Sequence, residues 1–208
     1  MIRLAVCVSG GGTSLQNLLD LIAAGKLDAE VVQVVASRPN IGAIARAEKA
    51  GVPVAVAASS KAVPAAEYTA AVFDPIRANR ADLVLLAGFL ALVDIPADYE
   101  GRVMNIHPAL IPSFCGKGYY GRRVHQAAID YGVKVSGCTV HFADDTYDTG
   151  PIILQRSVPV LETDDADALA ARVFEAERQA LPEAVALFAA GRLKIEGRRV
   201  RILPADEA

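Results

Sequence analysis

Asn105-Ile106-His107-Pro108 closes a short apolar run, and Asp148-Thr149-Gly150-Pro151 follows about one supersecondary unit later. Residues two apart on a strand project to the same face, so Asn105 and His107 can address one substrate group. A carboxamide can donate a hydrogen bond to a carbonyl, and an imidazole can donate a second one or move a proton. Asp148, if it comes within reach, would set the orientation and charge state of that imidazole. Polarisation of a carbonyl for attack is therefore the chemistry these three types suit. The competing reading of an isolated N-x-H-P is a polar strand end capped by a turn, so the rest of the chain has to decide.

A second feature is Ser9-Gly10-Gly11-Gly12-Thr13-Ser14, between the first apolar run and the first helical pattern. Backbone N–H groups at such a strand-to-helix junction can hold a phosphate, with glycines permitting close approach and the two hydroxyls adding donors. No G-K-[ST] follows, so it is not a P-loop. As a dinucleotide fingerprint it is incomplete: Leu15 stands at the third glycine position and no acidic residue closes the second strand. Arg38 there could at best favour a phosphorylated ribose. A monophosphate site is the expectation ahead of a dinucleotide site, with a plain tight turn as the alternative.

The elements that must position these residues alternate in type. Residues 2–9, 30–36, 52–57, 82–87 and 102–106 read as strands, with helices over 14–19 and onward, 41–50 and 65–79 between them. Continuous apolar runs joined by helices predict an α/β fold with a mostly parallel sheet covered on both faces. The second half differs. Residues 108–120 read as a long loop, unusual in a compact domain unless functional. A helix is expected over 121–131, two longer strands over 134–143 and 152–160, and a helix over 164–190 that starts at Thr163-Asp164-Asp165 and stops at Gly191. A small hairpin around Gly197 spans 193–202. No repeat or linker divides the chain, so one domain is expected, with halves at about 1–104 and 105–208.

The chain has 208 residues, 53% of them hydrophobic, which is enough for a substantial core. A formal net charge of −3 argues against nucleic acid as the main partner. No apolar stretch reaches the roughly 18 to 20 residues that span a bilayer, and the N-terminus runs directly into a strand without a cleavage site. Cys7, Cys115 and Cys138 form no CxxC pair, which speaks against disulfides and zinc. A cytoplasmic protein with no membrane partner is expected.

Taken together, Ser9 to Gln16 of the glycine loop, Leu86-Ala87-Gly88-Phe89, Asn105-Ile106-His107-Pro108-Ala109-Leu110-Ile111-Pro112, Gly137-Cys138-Thr139-Val140-His141-Phe142 and Asp148-Thr149-Gly150-Pro151-Ile152-Ile153 resemble the formyltransferase family that uses 10-formyltetrahydrofolate. The resemblance covers nearly the whole chain, in order and spacing. It implies a Rossmann-like sheet extended by an antiparallel C-terminal part. It also implies transfer of the formyl group of 10-formyltetrahydrofolate, as cosubstrate, to the glycyl amine of glycinamide ribonucleotide, without a metal. By position it assigns catalysis to Asn105, His107 and Asp148, the ribonucleotide phosphate to Gly12, Thr13 and Ser14, and its ribose hydroxyls to Glu177. Leu90, Ala91, Leu92, Val93, Asn105, Asp144, Asp145, Thr146, Tyr147 and Asp148 are assigned to the folate. The expected state is monomer or homodimer. Two departures bear on anion contacts: an arginine expected near the start of the third helix is absent, leaving Lys61 as a point charge, and Ala91 replaces the basic residue of some relatives.

Other residues invite roles. His141 reads as a structural histidine hydrogen-bonded near the site, ahead of a second acid or base. His125 either orients the catalytic loop or lies on the surface, with the surface favoured. Lys117, Arg122 and Arg123 could meet an anionic folate tail or simply be solvated. Nothing beside Cys115 marks a lowered pKa, and Asp144-Asp145 lacks further metal ligands. The rival functions are formylation of methionyl-tRNA, which should bring a basic C-terminal domain, and hydrolysis of formyl-folate, which should bring an N-terminal regulatory domain. A nicotinamide-dependent oxidoreductase and a non-catalytic nucleotide-binding module are the alternatives from other classes.

Overall fold

A computed structural model describes residues 1–58 and 62–205, so Lys61 lies outside the described residues. The chain divides into two compact units, Met1–Met104 and Asn105–Ala208.

In the first unit, strands β1 (Ile2–Val8), β2 (Ala29–Ala36), β3 (Val54–Val56) and β4 (Leu83–Ala87) lie in the order β3-β2-β1-β4. All three pairings are parallel. Helices α1 (Thr13–Ala23), α2 (Gly42–Lys49) and α3 (Ala65–Ala78) connect them, and a short 3-10 turn covers Ala97–Tyr99. β1 and β4 are buried almost without interruption, as expected where a parallel sheet is covered on both faces. The helices contribute the complementary stripe: Leu15 and Leu18 on α1, and Val72, Phe73 and Ile76 on α3, all fully buried. With β2 and β3 on one side of β1 and β4 on the other, the strand order reverses between β1 and β4. Ligands of open α/β sheets bind at the carboxyl ends of the strands at that point. Ser9 N–H donates to the Gly88 carbonyl at 3.1 Å across it, joining the loop after β1 to the segment after β4.

The second unit takes in most of β5 (Val103–His107), then α4 (Arg122–Tyr131), β6 (Val135–Phe142), β7 (Ile152–Pro159), α5 (Ala166–Ala189), β8 (Leu193–Glu196) and β9 (Arg199–Ile202). Its strand order is β5-β6-β7-β9-β8, with β6/β7 and β8/β9 antiparallel and β7/β9 parallel. The expected mixed class therefore holds, parallel in the first unit and largely antiparallel toward the C-terminus. Asp165 caps α5 by accepting from Ala168 N–H at 2.8 Å. Neighbouring Asp164 clamps the entry, taking Leu161 N–H at 2.8 Å and two Arg172 donors at 2.5 and 2.9 Å. The turn from β6 to β7 needs glycine at 150, where a Cβ would fall 1.8 Å from the Phe142 carbonyl oxygen. That contact brings Asp148 back beside the end of β6. Residues 108–120 form neither helix nor strand, as expected of a long loop.

Candidate active site

In the first unit the glycine loop is built from its carbonyls upward. Gly10 O accepts from Ala43 N–H at 3.2 Å, and Gly11 O accepts from Arg46 Nε at 2.8 Å. With these carbonyls turned toward α2, the N–H groups that open α1 have no helical acceptor. No acidic side chain occupies the first turn of α1. Gly12 stands at the N-cap with φ 74°, and a Cβ there would lie 2.6 Å from the Ala43 Cβ. Both conformation and packing thus require glycine. Gly10 and Gly11 face open space instead. The result is a donor-rich helix N-terminus suited to an anion, with Thr13 exposed and Ser14 half-buried. Ser9 is the hub beneath it: its Oγ accepts from Leu90 N–H at 2.9 Å and pairs with Ser37 Oγ at 2.6 Å. Arg38 directs Nε and Nη2 to the Ser9 carbonyl at 2.9 and 2.7 Å, so its guanidinium braces the loop. After β4, Leu90 and Leu92 are exposed apolar side chains while Val93 is buried.

In the second unit, Asn105, His107 and Asp148 come together. Asn105 and His107 sit on β5. Asp148 enters from the β6–β7 turn with φ 58°, a left-handed conformation that Asp tolerates better than most residues. Asn105 Nδ2 donates to Asp148 Oδ1 at 3.1 Å and lies 3.0 Å from His141 Nε2. His141 Nδ1 faces the Phe142 carbonyl at 2.8 Å. It must carry a proton there, which leaves Nε2 as the acceptor. Both amide hydrogens of Asn105 are therefore directed at acceptors, and a substrate carbonyl would have to take over one of them. His107 Nε2 faces the Phe114 carbonyl at 2.9 Å, so it too carries a proton. Its Nδ1 lies 3.5 Å from Asp148 Oδ2, which also accepts Gly116 N–H at 2.8 Å. The gap between Nδ1 and Oδ2 is a slot for one exchangeable proton.

The electrostatics suit such a slot. Burial pulls the His107 imidazole below its ordinary value, opposed by the Asp148 charge and the Phe114 carbonyl. Burial pushes Asp148 up, but its neighbours, among them the charge of His107 and the Gly116 N–H, hold the carboxyl below the usual range. Asp148 therefore stays ionised beside an imidazole that gives up its second proton readily, a pairing suited to proton transfer near neutral pH. Burial and then the Asp148 charge push the Cys115 thiol up, away from reactivity.

The loop after β5 is pinned by Thr139 and Gln155, directly opposed across β6 and β7. Thr139 Oγ1 donates to Ala109 O at 2.7 Å and accepts Ile111 N–H at 3.1 Å, and Gln155 Nε2 reaches both Thr139 Oγ1 and Ile111 O. Sequence reasoning missed Gln155, which stands in a run of exposed polar residues on β7 and carries no signal of its own. His141, 1% exposed, sits where the structural reading placed it. The surface reading of His125 fails: it is 5% exposed, because α4 turns it inward with Val124 and Ala128, and its Nδ1 has no hydrogen-bond partner among the described residues.

The remaining expected site residues are placed as follows. Asp144 organises its own turn, accepting Thr146 N–H at 3.1 Å and Thr149 Oγ1 at 2.7 Å. Asp145 and Thr146 are exposed and Tyr147 is half-buried, as is Ala91 in the first unit. Glu177 on α5 is half-buried, and burial pushes its carboxyl up to about 7. The Cys138 thiol on β6 is raised to about 12, first by burial and then by the Glu177 charge. Arg123 stacks over the Tyr120 ring at 4.9 Å, and Arg122 pairs with Asp167 at 2.9 Å. No helix among the described residues is long and apolar enough to cross a membrane.

Comparison with known proteins identifies the family. The model of the family described as formyl transferase matches residues 2–185. The chain is 42% identical over 185 residues to the chloroplastic phosphoribosylglycinamide formyltransferase of Vigna unguiculata, covering 88% of this chain and 59% of that protein. It is 39% identical to the trifunctional purine biosynthetic protein adenosine-3 of Drosophila melanogaster, over 91% of this chain and 14% of that one. The chain thus spans little more than half of the first relative and about one-seventh of the second. Among solved structures, glycinamide ribonucleotide transformylase 1 from Symbiobacterium toebii superposes with a TM-score of 0.90 at 42% identity, covering 98% of this chain and 95% of that one. The chain belongs to the formyl transferase family.

Proposed function

We propose that this chain is a phosphoribosylglycinamide formyltransferase, moving a formyl group from 10-formyltetrahydrofolate to the glycyl amine of glycinamide ribonucleotide in purine biosynthesis. The observation that carries the reading is the cluster of Asn105, His107 and Asp148 around a single proton slot. The names of the relatives support the same substrates.

Gly12, Thr13 and Ser14 take the ribonucleotide phosphate at the N-terminus of α1, and Glu177 takes the ribose hydroxyls. Leu90, Ala91, Leu92 and Val93 in the first unit, and Asn105 with Asp144 through Asp148 in the second, are assigned to the folate. When the glycyl amine attacks the formyl carbon, a carbon–nitrogen bond forms and negative charge moves to the formyl oxygen. Asn105 turns an Nδ2 hydrogen from Asp148 or His141 to that oxygen, and His107, protonated on Nδ1, turns that hydrogen from Asp148 to it as a second donor. Asp148 accepts the proton released by the amine, directly or through water. Returning it to the folate nitrogen as the carbon–nitrogen bond breaks leaves the proton count unchanged. Positioning both reactants supplies the proximity contribution. All three cysteines are unpaired, which fits a reducing compartment, and a cytoplasmic monomer or homodimer goes with the reading.

The test is a spectrophotometric assay for deformylated folate, with 10-formyltetrahydrofolate present and the ribonucleotide added or withheld. Ribonucleotide-dependent release is the expected result. Equal release without it would make the protein a hydrolase, and no release with both ligands bound would refute the catalytic assignment.

A further inference from the structure

Phe114 has φ 49°. This left-handed conformation is an outlier for a bulky side chain and persists only where the surroundings hold it. Its carbonyl is the group that fixes the proton on His107 Nε2, and two residues later Gly116 N–H holds Asp148 Oδ2. This short stretch of backbone therefore sets both sides of the proton slot. The chain beyond does not enforce the geometry by itself, since Gly116, Gly118 and Gly121 all lie at positive φ, and glycine moves readily among conformations.

The Phe114 ring is met by two aromatic edges. Its ring meets Tyr131 at 5.9 Å between centroids with planes at 76°, and Tyr119 at 6.5 Å and 62°. Both are in the edge-to-face range that aromatic pairs prefer. Tyr131 ends α4, whose Val124 and Ala128 are buried in the unit core, so it offers a fixed point outside the loop. The Tyr131 residue is itself 80% exposed, too accessible to serve as core.

We propose that Tyr131, with Tyr119, is a positioning residue: by clamping the Phe114 ring it holds the left-handed backbone that fixes the His107 tautomer and the Asp148 carboxylate. The inference rests on the reading of His107 and Asp148 as catalytic, but its first readout does not. In the free protein, nitrogen-15 imidazole spectra should show His107 protonated on Nε2 in its neutral form. Tyr131→Ala should turn this into a mixture of tautomers, and Tyr131→Phe should restore the native pattern. In the formyl-transfer assay, Tyr131→Ala should lower kcat by roughly two- to tenfold, the factor an aromatic pair is worth. The KM for the ribonucleotide should stay within about twofold. A native His107 spectrum in Tyr131→Ala overturns the proposal, whether or not kcat falls. If the native protein transfers no formyl group, the spectra alone decide, so failure of the functional reading remains distinct from failure of this one.

Discussion

Replacing Asp148 with Asn keeps the shape of the side chain and removes its charge. Its two oxygens each accept a hydrogen bond, one from Asn105 Nδ2 at 3.1 Å and one from Gly116 N–H at 2.8 Å. An amide offers one acceptor, so one of these donors must lose its partner in a site where the Asp148 side chain is only 8% exposed. A lost hydrogen bond to a charged group lowers stability by about 1.5–3 kcal/mol, which a domain with about 5–15 kcal/mol survives. The larger effect falls on His107. Its Nδ1 stands 3.5 Å from the carboxylate. Unit charges at that separation interact by roughly 5 kcal/mol at an effective dielectric of about 20, and by less where water screens them. Losing even a third of that would lower the imidazole pKa further. With the proton acceptor gone and the slot empty, kcat should fall by about 10²- to 10⁴-fold. The ribonucleotide KM should change little, since the phosphate site proposed for it is in the first unit. Steady-state kinetics with circular dichroism as a folding control make the measurement. Turnover within about threefold of native in a folded variant would refute the assigned role. The folded Asp148 carboxyl lies below its ordinary pKa. Such a group adds stability that is present above the ordinary pKa and is lost as pH falls through the folded value. Urea titrations should accordingly show the native protein losing more stability than Asp148→Asn on the acid side.

Three further outcomes follow from the same structure. Glu177 binds its proton more tightly when folded, so the native state loses stability as pH rises from 4.5 toward about 7. Glu177→Gln should therefore stabilise the protein by up to about 3 kcal/mol at about pH 8 and by little at about pH 4.5, in urea titrations, while raising the ribonucleotide KM. Gly12→Ala should lower the melting temperature, because the new Cβ would meet Ala43 at 2.6 Å from a left-handed backbone. Gly11→Ala, in open space, should leave the melting temperature unchanged and weaken binding of inorganic phosphate measured by calorimetry. Thr139→Val strands the buried Ile111 N–H, which should cost about 1–3 kcal/mol in urea unfolding.

Much of this was legible in the sequence because it follows from local rules. Strand alternation alone put Asn105 and His107 on one face, and the glycine cluster before an apolar helical pattern located the N-terminus of α1. Thr163-Asp164-Asp165 marked the start of α5, although the cap and the Arg172 clamp divide between Asp165 and Asp164. What stayed hidden depends on register and backbone. Phe114 O and Gly116 N–H act through main-chain atoms that nearly every residue carries, so their identity signals nothing. Thr139 and Gln155 meet only once the antiparallel register of β6 and β7 is fixed. His125 stands among Arg122, Arg123 and Gln126, a polar context that hid its burial on α4. The commitment of both Asn105 hydrogens needed the His141 tautomer, which only the Phe142 carbonyl reveals.

The most direct test follows the formyl carbon itself. With carbon-13 in the formyl group of 10-formyltetrahydrofolate, and nitrogen-15 in the glycyl amine of glycinamide ribonucleotide, the native protein should join the two labels, giving a formamide carbon coupled to nitrogen. Label appearing as free formate, with the ribonucleotide bound and unmodified, would contradict the transferase account.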